Sequence, residues 1–276
     1  MRKLVILLFA ILFLVSTAYS QSSSKRFKKP IVMIETYGGY NFPMHDLSGS
    51  EIGEFYNFQS YGVTNGFSTG FTVKFSVATL DKSQFRVYTN IGYSQFTRSQ
   101  NNAYTNAGWI TPTYPSWPIG DTLPHNKTSG SSFARINIPY GAVGFEYAIF
   151  VDPLLKSHFN FGLEINMSAI FGRYYNDTIN TSDPIEPYRS IKENFRFGFA
   201  LNAAYNYRLA EMFGMTFGLR YTLNNLIGRT TKISDDSSIY LNDDENPSIN
   251  PKLTSSRIIG SLSIYAGVNF YIGSRK

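Results

Sequence analysis

The sequence predicts an all-β protein, an eight-stranded antiparallel up-and-down transmembrane β-barrel, on three observations. The first is Glu193 to Leu226, which holds two runs of strict alternation around a short polar turn. Phe195, Phe197, Phe199, Leu201, Ala203, Tyr205 and Tyr207 fall on one side, with Arg196, Gly198, Ala200, Asn202, Ala204 and Asn206 on the other. Phe213, Met215, Phe217, Leu219, Tyr221 and Leu223 likewise oppose Gly214, Thr216, Gly218, Arg220, Thr222 and Asn224. Period two is the signature of a strand, because successive side chains point to opposite faces. A polar side of Gly, Ala and Asn with single charges, against aromatics toward both strand ends, fits lipid outside and a narrow lumen inside. The second is composition: 22 Gly, 20 Tyr and 23 Phe, charged residues at 16%, and no apolar run of the roughly 20 residues a spanning helix needs. A membrane protein without such helices must close a barrel, since lipid offers unpaired backbone groups no partner. The third is the rhythm of the connections, short and long in turn.

The N-terminus reads as a targeting signal. Arg2 and Lys3 precede an apolar run from Leu4 to Val15, and Ala18 and Ser20 flank Tyr19, so cleavage is expected before Gln21. The domain plan is a signal peptide at 1–20, a basic periplasmic linker at 21–30 and the barrel at 31–276. The net charge is +6, and four mature-chain cations, Lys25, Arg26, Lys28 and Lys29, crowd that linker. A run this short reads as solvated and does not support nucleic-acid binding. With no cysteine, the chain has no lipoprotein anchor, disulfide or thiol chemistry.

The strands follow in order. Strand one covers about Ile31 to Phe42, with Val32, Ile34, Thr36 and Tyr40 outward and Glu35 inward, and Asn41 to Asn65 forms a first long loop. Strand two, Gly66 to Ala78, alternates Phe67, Phe71, Val73, Phe75 and Val77 against Ser68, Gly70, Thr72, Lys74 and Ser76. A turn at Asp81 and Lys82 leads to strand three, Gln84 to Phe96, with Arg86, Tyr88 and Asn90 inward. Proline-rich Thr97 to Ser132 is a second long loop. In strand four, Phe133 to Ile149, only Val143, Phe145 and Tyr147 set a phase, which turns Glu146 inward. Pro139 interrupts the first half, where a bulge would shift it. After Asp152 and Pro153, strand five runs from His158 to Gly172 with Phe159, Phe161, Leu163, Ile165, Met167 and Phe171 outward and Asn160, Glu164, Asn166 and Ser168 inward. Tyr174 to Lys192 is the third long loop, the hairpin above gives strands six and seven, and Arg229 to Ser256 is the fourth. Strand eight, Arg257 to Ile272, closes the count. Outer-membrane barrels pair short periplasmic turns with longer external loops, which puts both termini in the periplasm.

The architecture resembles small eight-stranded outer-membrane barrels such as the OmpA transmembrane domain, OmpX and the PorT-like barrels. Tyr265 to Ile272, YAGVNFYI, is similar to the C-terminal signal read by the barrel-assembly machinery, with Ile272 in place of the final aromatic and Gly273 to Lys276 beyond it. The resemblance implies a cell outer-membrane location, outer-membrane lipid and the assembly machinery as partners, and a secretion-accessory role alongside an outer-membrane or periplasmic protein.

Candidate sites lie in the lumen and the loops. Glu35 and Lys74 stand at similar heights, as do Arg86 and Glu146, while Glu164 and Arg220 lie on strands separated by one. An eight-stranded lumen has room only for side chains, so these six should pair into an ionic plug. The fourth loop carries Asp235, Asp236, Asp243, Asp244 and Glu245, whose oxygens suit calcium or bridging cations but match no calcium-loop spacing. They read first as a solvated acidic loop. In the second loop Tyr104, Trp109, Tyr114 and Trp117 either present rings to sugars or a partner or pack as a cap over the mouth. His45 with Ser48 or Ser50 is the one arrangement a lipid-modifying enzyme could use, while His125 falls in a loop and His158 beside a turn. No cofactor, metal or catalytic set is expected. The functional expectation is a non-enzymatic structural or binding barrel acting through external loops and rim, the alternative a small passive channel or lipid-modifying enzyme.

Overall fold

Eight strands hydrogen-bond to their sequence neighbours, and the last returns to the first. The structure, a computed structural model, describes residues 26–50, 60–103, 130–176, 188–229, 241, 243 and 256–275. The expected signal peptide lies outside these residues. The strands are β1 (Lys29–His45), β2 (Asn65–Thr79), β3 (Ser83–Ala103), β4 (Gly130–Phe150), β5 (Ser157–Asn176), β6 (Tyr188–Arg208), β7 (Phe213–Ile227) and β8 (Ile259–Arg275). All pairs are antiparallel, and β1 meets β8 from Lys29↔Arg275 to His45↔Ile259, which leaves no open sheet edge along this seam. A chain of eight strands closes this way only if each is tilted and twisted.

The strands run further than the alternation marks. β3 and β4 enter the segment expected as a second loop, reaching Ala103 and starting at Gly130, and β5 and β6 extend to Asn176 and from Tyr188. A bilayer needs only about 9–11 residues of tilted strand, so strands of 20 and 21 residues carry a wall beyond it. At the opposite end the described part of the basic segment, residues 26–30, is tied to the barrel. Lys29 and Pro30 belong to β1, Phe27 N–H donates to Leu154 O at 2.9 Å, and the Lys29 ammonium donates to the Leu80 and Asp81 carbonyls of the β2–β3 turn.

Side-chain placement follows the parity of each strand. Ile91 is 70% exposed and Ile165 64%, whereas the inward neighbour of Ile165, Glu164, is 1% exposed. Phe67, Phe75, Phe85, Phe145, Phe161, Leu201, Phe217, Leu219 and Ile264 join them in an apolar belt around the barrel. A belt of this extent far exceeds the largest apolar patches of soluble monomers and suits lipid. Leu219→Arg should therefore cost about 2–4 kcal/mol near the midplane. Ser168→Ala, which removes only an inward hydroxyl bonded to Asn224 O, should cost about 1 kcal/mol. Urea unfolding in lipid vesicles checks the order, and a larger loss for Ser168 would reverse the assignment of faces.

On β4 there is no bulge at Pro139. Pairing with β3 keeps one register from Ser83↔Ile149 to Gln100↔Ser132, and pairing with β5 skips from Asn137↔Phe171 to Tyr140↔Ser168 without a shift. Pro139 is passed over because it has no N–H for the ladder. What changes at Pro139 is polarity. Toward the short turns the odd residues Val143, Phe145 and Tyr147 are outward and apolar; toward the long loops the odd residues Asn137 and Arg135 are outward and polar. The even residues Ile138, Ile136 and Ala134 become a buried apolar face. With Phe96, Ile170, Tyr174, Ile191 and Ile259 they line the upper lumen as a hydrophobic core. Leu47, Tyr61 and Val63 from the first long connection and Leu241 from the fourth fill its centre.

Candidate functional site: the charged lumen and its cap

Register brings the lumenal charges together. Arg86 and Glu146 are direct partners across β3 and β4, and Arg86 Nη1 donates to Glu146 Oε1 at 3.0 Å. Lys74 stands diagonally from Glu35, because Glu35 pairs with Thr72 and Lys74 with Met33. The Lys74 ammonium lies 3.1 Å from Glu35 Oε2 and 2.7 Å from Glu146 Oε2, reaching past β3 over the Tyr88 ring. The four side chains thus form one row, Glu35, Lys74, Glu146 and Arg86, all nearly fully buried. Gln84 and His158 extend it: Arg86 Nε donates to Gln84 Oε1 at 2.8 Å, and both terminal guanidinium nitrogens lie 3.4 Å from His158 Nε2. His158, expected beside a turn, is therefore a fully buried lumen residue and not a solvated one. Its even parity with Asn160 was the sequence signal for this.

A second layer sits at mid-height. Glu164 and Arg220 meet across β6, where Glu164 pairs with Ala200 and the small side chain leaves the gap that Arg220 crosses to donate to Glu164 Oε1. Arg220 also donates to the Tyr37 hydroxyl at 2.9 Å and to that of Tyr140, and its guanidinium lies 4.6 Å from the Tyr140 ring centroid. Tyr37 and Tyr140 reach this layer because their cross-strand partners are glycines. A Cβ on Gly70 would lie 2.4 Å from the Tyr37 hydroxyl, and one on Gly92 2.3 Å from that of Tyr140. Cavities of about 20 Å³ and 10 Å³ lie on the two sides of Arg220. Each has room for about a single water, far short of a continuous pore.

The third layer was not read from the sequence. Arg196, inward on β6, donates from Nε and Nη2 to the two carboxylate oxygens of Asp243, both at 2.8 Å. Asn225 donates to Asp243 Oδ2 at 3.0 Å and accepts from Ile259 N–H at 2.7 Å. Asp243 is 1% exposed, which corrects its placement in a solvated acidic loop: it sits in the mouth, paired to a lumenal arginine. Above it the Tyr61 hydroxyl donates to Leu241 O at 3.1 Å and Tyr174 to Tyr61 O at 2.7 Å. Burial pushes the Tyr61 hydroxyl above its usual range, so it remains a donor there.

The loop candidates divide. Trp109, Trp117, His125, Asp235, Asp236, Asp244, Glu245, Tyr104 and Tyr114 lie outside the described residues. His45 does not form a dyad with Ser48: its Nε2 is 2.6 Å from the Tyr221 hydroxyl, while the Ser48 hydroxyl donates to the His45 backbone carbonyl at 3.0 Å. Among the described residues no group of three His, Asp or Glu side chains converges to hold a metal.

No protein-family model matches the chain, and no curated protein matches it in sequence. Solved structures similar to it include Neisserial surface protein A, at 10% identity over 87% of this chain and 97% of that one, with a TM-score of 0.39. Ail, the attachment invasion locus protein of Yersinia pestis, gives 9% identity, coverage of 88% and 99%, and a TM-score of 0.36. The outer membrane protein OprG of Pseudomonas aeruginosa gives 12%, 90% and 99%, and 0.40.

Proposed function

We propose that this chain is an integral outer-membrane barrel that carries no steady flux and works through its external loops and rim, as a structural or binding protein. The observation that carries the reading is the lumen, filled at three heights by paired charges that hold one another in place. A buried charge is tolerable when it is paired and hydrogen-bonded, and a paired charge does not readily let ions pass. In this reading the short turns and both termini face the periplasm, and the mouth capped by the first and fourth connections faces outward. The secretion-accessory role of PorT-like barrels, with an outer-membrane or periplasmic protein as partner, is its more specific form. Purified protein in a planar bilayer should show no steady conductance. Continuous single-channel currents from the wild-type chain would overturn the plug and put the passive channel in its place.

A further inference from the structure

Two arginines on the outer wall take no part in the lumen or its cap. Arg135 on β4 and Arg173 on β5 are direct cross-strand partners, and both are exposed. Like charges placed directly opposite each other in a sheet repel and destabilise the pair. Other arginines at this end have acceptors: Arg98 donates to the carbonyls of Gly49 and Ser50, and Arg196 to Asp243. Arg135 rests 5.0 Å from the Phe133 ring centroid, and neither it nor Arg173 meets a carboxylate among the described residues.

Their height gives the pair a meaning. The next outward residue on β4 toward the belt is Asn137, whose Oδ1 accepts from the Tyr93 hydroxyl at 2.7 Å and from Gln95 Nε2 at 2.9 Å. This polar rung marks the end of the apolar belt, and a tyrosine with its hydroxyl bonded at that level is typical of the membrane–water interface. Arg135 and Arg173 stand one outward step above it, roughly 7 Å along the strands, with Phe171 and Met167 below on β5. In the outer-membrane reading above, that height corresponds to the headgroups.

We propose that Arg135 and Arg173 together clamp the phosphate of an anionic lipid in the outer leaflet, its acyl chains lying on the belt below. Two planar guanidinium forks suit a tetrahedral dianion, and charge-assisted bonds to it replace the repulsion between them. A dissolved phosphate would meet the same two groups on a convex, solvated wall where salt screens them. A lipid is held there by its chains, which raises its effective concentration at the site. The proposal rests on the outer-membrane reading above.

The test uses the full chain in nanodiscs of phosphatidylcholine containing either bisphosphorylated lipid A or its dephosphorylated counterpart, with retained lipid counted by native mass spectrometry. Wild type should keep the phosphorylated lipid and not the other. Arg135→Gln with Arg173→Gln should lower retention about tenfold or more, the loss of two charge-assisted contacts. Arg135→Lys with Arg173→Lys should fall between, and Lys82→Gln, on the opposite rim, should match wild type. Equal retention by the double glutamine variant overturns the site, as does an equal loss in Lys82→Gln. Displacement of the lipid by millimolar inorganic phosphate overturns it in favour of a free-anion site. A barrel that inserts but retains no phosphorylated lipid overturns the clamp and leaves the membrane reading standing, whereas a chain that enters no bilayer overturns both.

Discussion

Arg220→Glu should destabilise the barrel by about 3–5 kcal/mol, the loss expected when a buried ion pair is left with an uncompensated charge. The substitution sets a second carboxylate against Glu164 and strips Tyr37 and Tyr140 of the donor that binds both hydroxyls. It should also make the protein leak in a planar bilayer, because the mid-height layer would be pushed apart. Urea titrations in lipid vesicles, read by the shift between folded and unfolded bands on a gel, give the free energy. The exchange Glu164→Arg with Arg220→Glu separates the pair from its surroundings: it should recover part of the loss. A single substitution that costs under about 1 kcal/mol, the range of an exposed pair, would mean that water already screens Glu164 from Arg220.

Asp243→Ala should cost a similar amount, about 3–5 kcal/mol, but with a different signature. Arg196 would be left buried without a counter-charge, and Asn225 would lose an acceptor. Both hold Asp243 in the mouth, so the fourth connection should be cut more readily while the strands persist. Limited proteolysis should then cut between Arg229 and Ser256 far faster than in wild type, at unchanged barrel content by circular dichroism. Asp243→Asn, which keeps the shape and an acceptor oxygen, should loosen it less. A loop no more susceptible in Asp243→Ala than in wild type would show that the apolar contacts of Leu241 and Tyr61 hold the cap alone.

Across the apolar belt and down to the short turns the strands were legible because one solvent acts on each face there. Phe71, Val73 and Phe75 against Thr72, Lys74 and Ser76 permit one phase only, and hairpin register then sets the height of each inward charge. That is why Arg86 and Glu146 could be matched from sequence. Lys74 also bridging to Glu146 could not, since it depends on reach past an intervening strand. The first half of β4 was illegible for another reason. Its alternation continues unbroken, but past Pro139 the apolar residues Ile138 and Ile136 face inward and Asn137 and Arg135 outward. A reader who assumes lipid outside must invoke a bulge. Asp243 was misread because a loop has no period, so nothing in its spacing says that this aspartate turns inward to an arginine.

The reversal of polarity along β4 also divides the barrel by driving force. Below Pro139 the strand becomes stable when lipid reaches its outer face, so that half is fixed by insertion itself. Above it, Phe96, Ile136, Ile138 and Ile170 gain nothing from lipid; their driving force is the release of water from a core that exists only once Leu47, Tyr61, Val63 and Leu241 arrive. The two halves of one barrel are thus held by different solvents, lipid on the outer face of one and water expelled from the inside of the other.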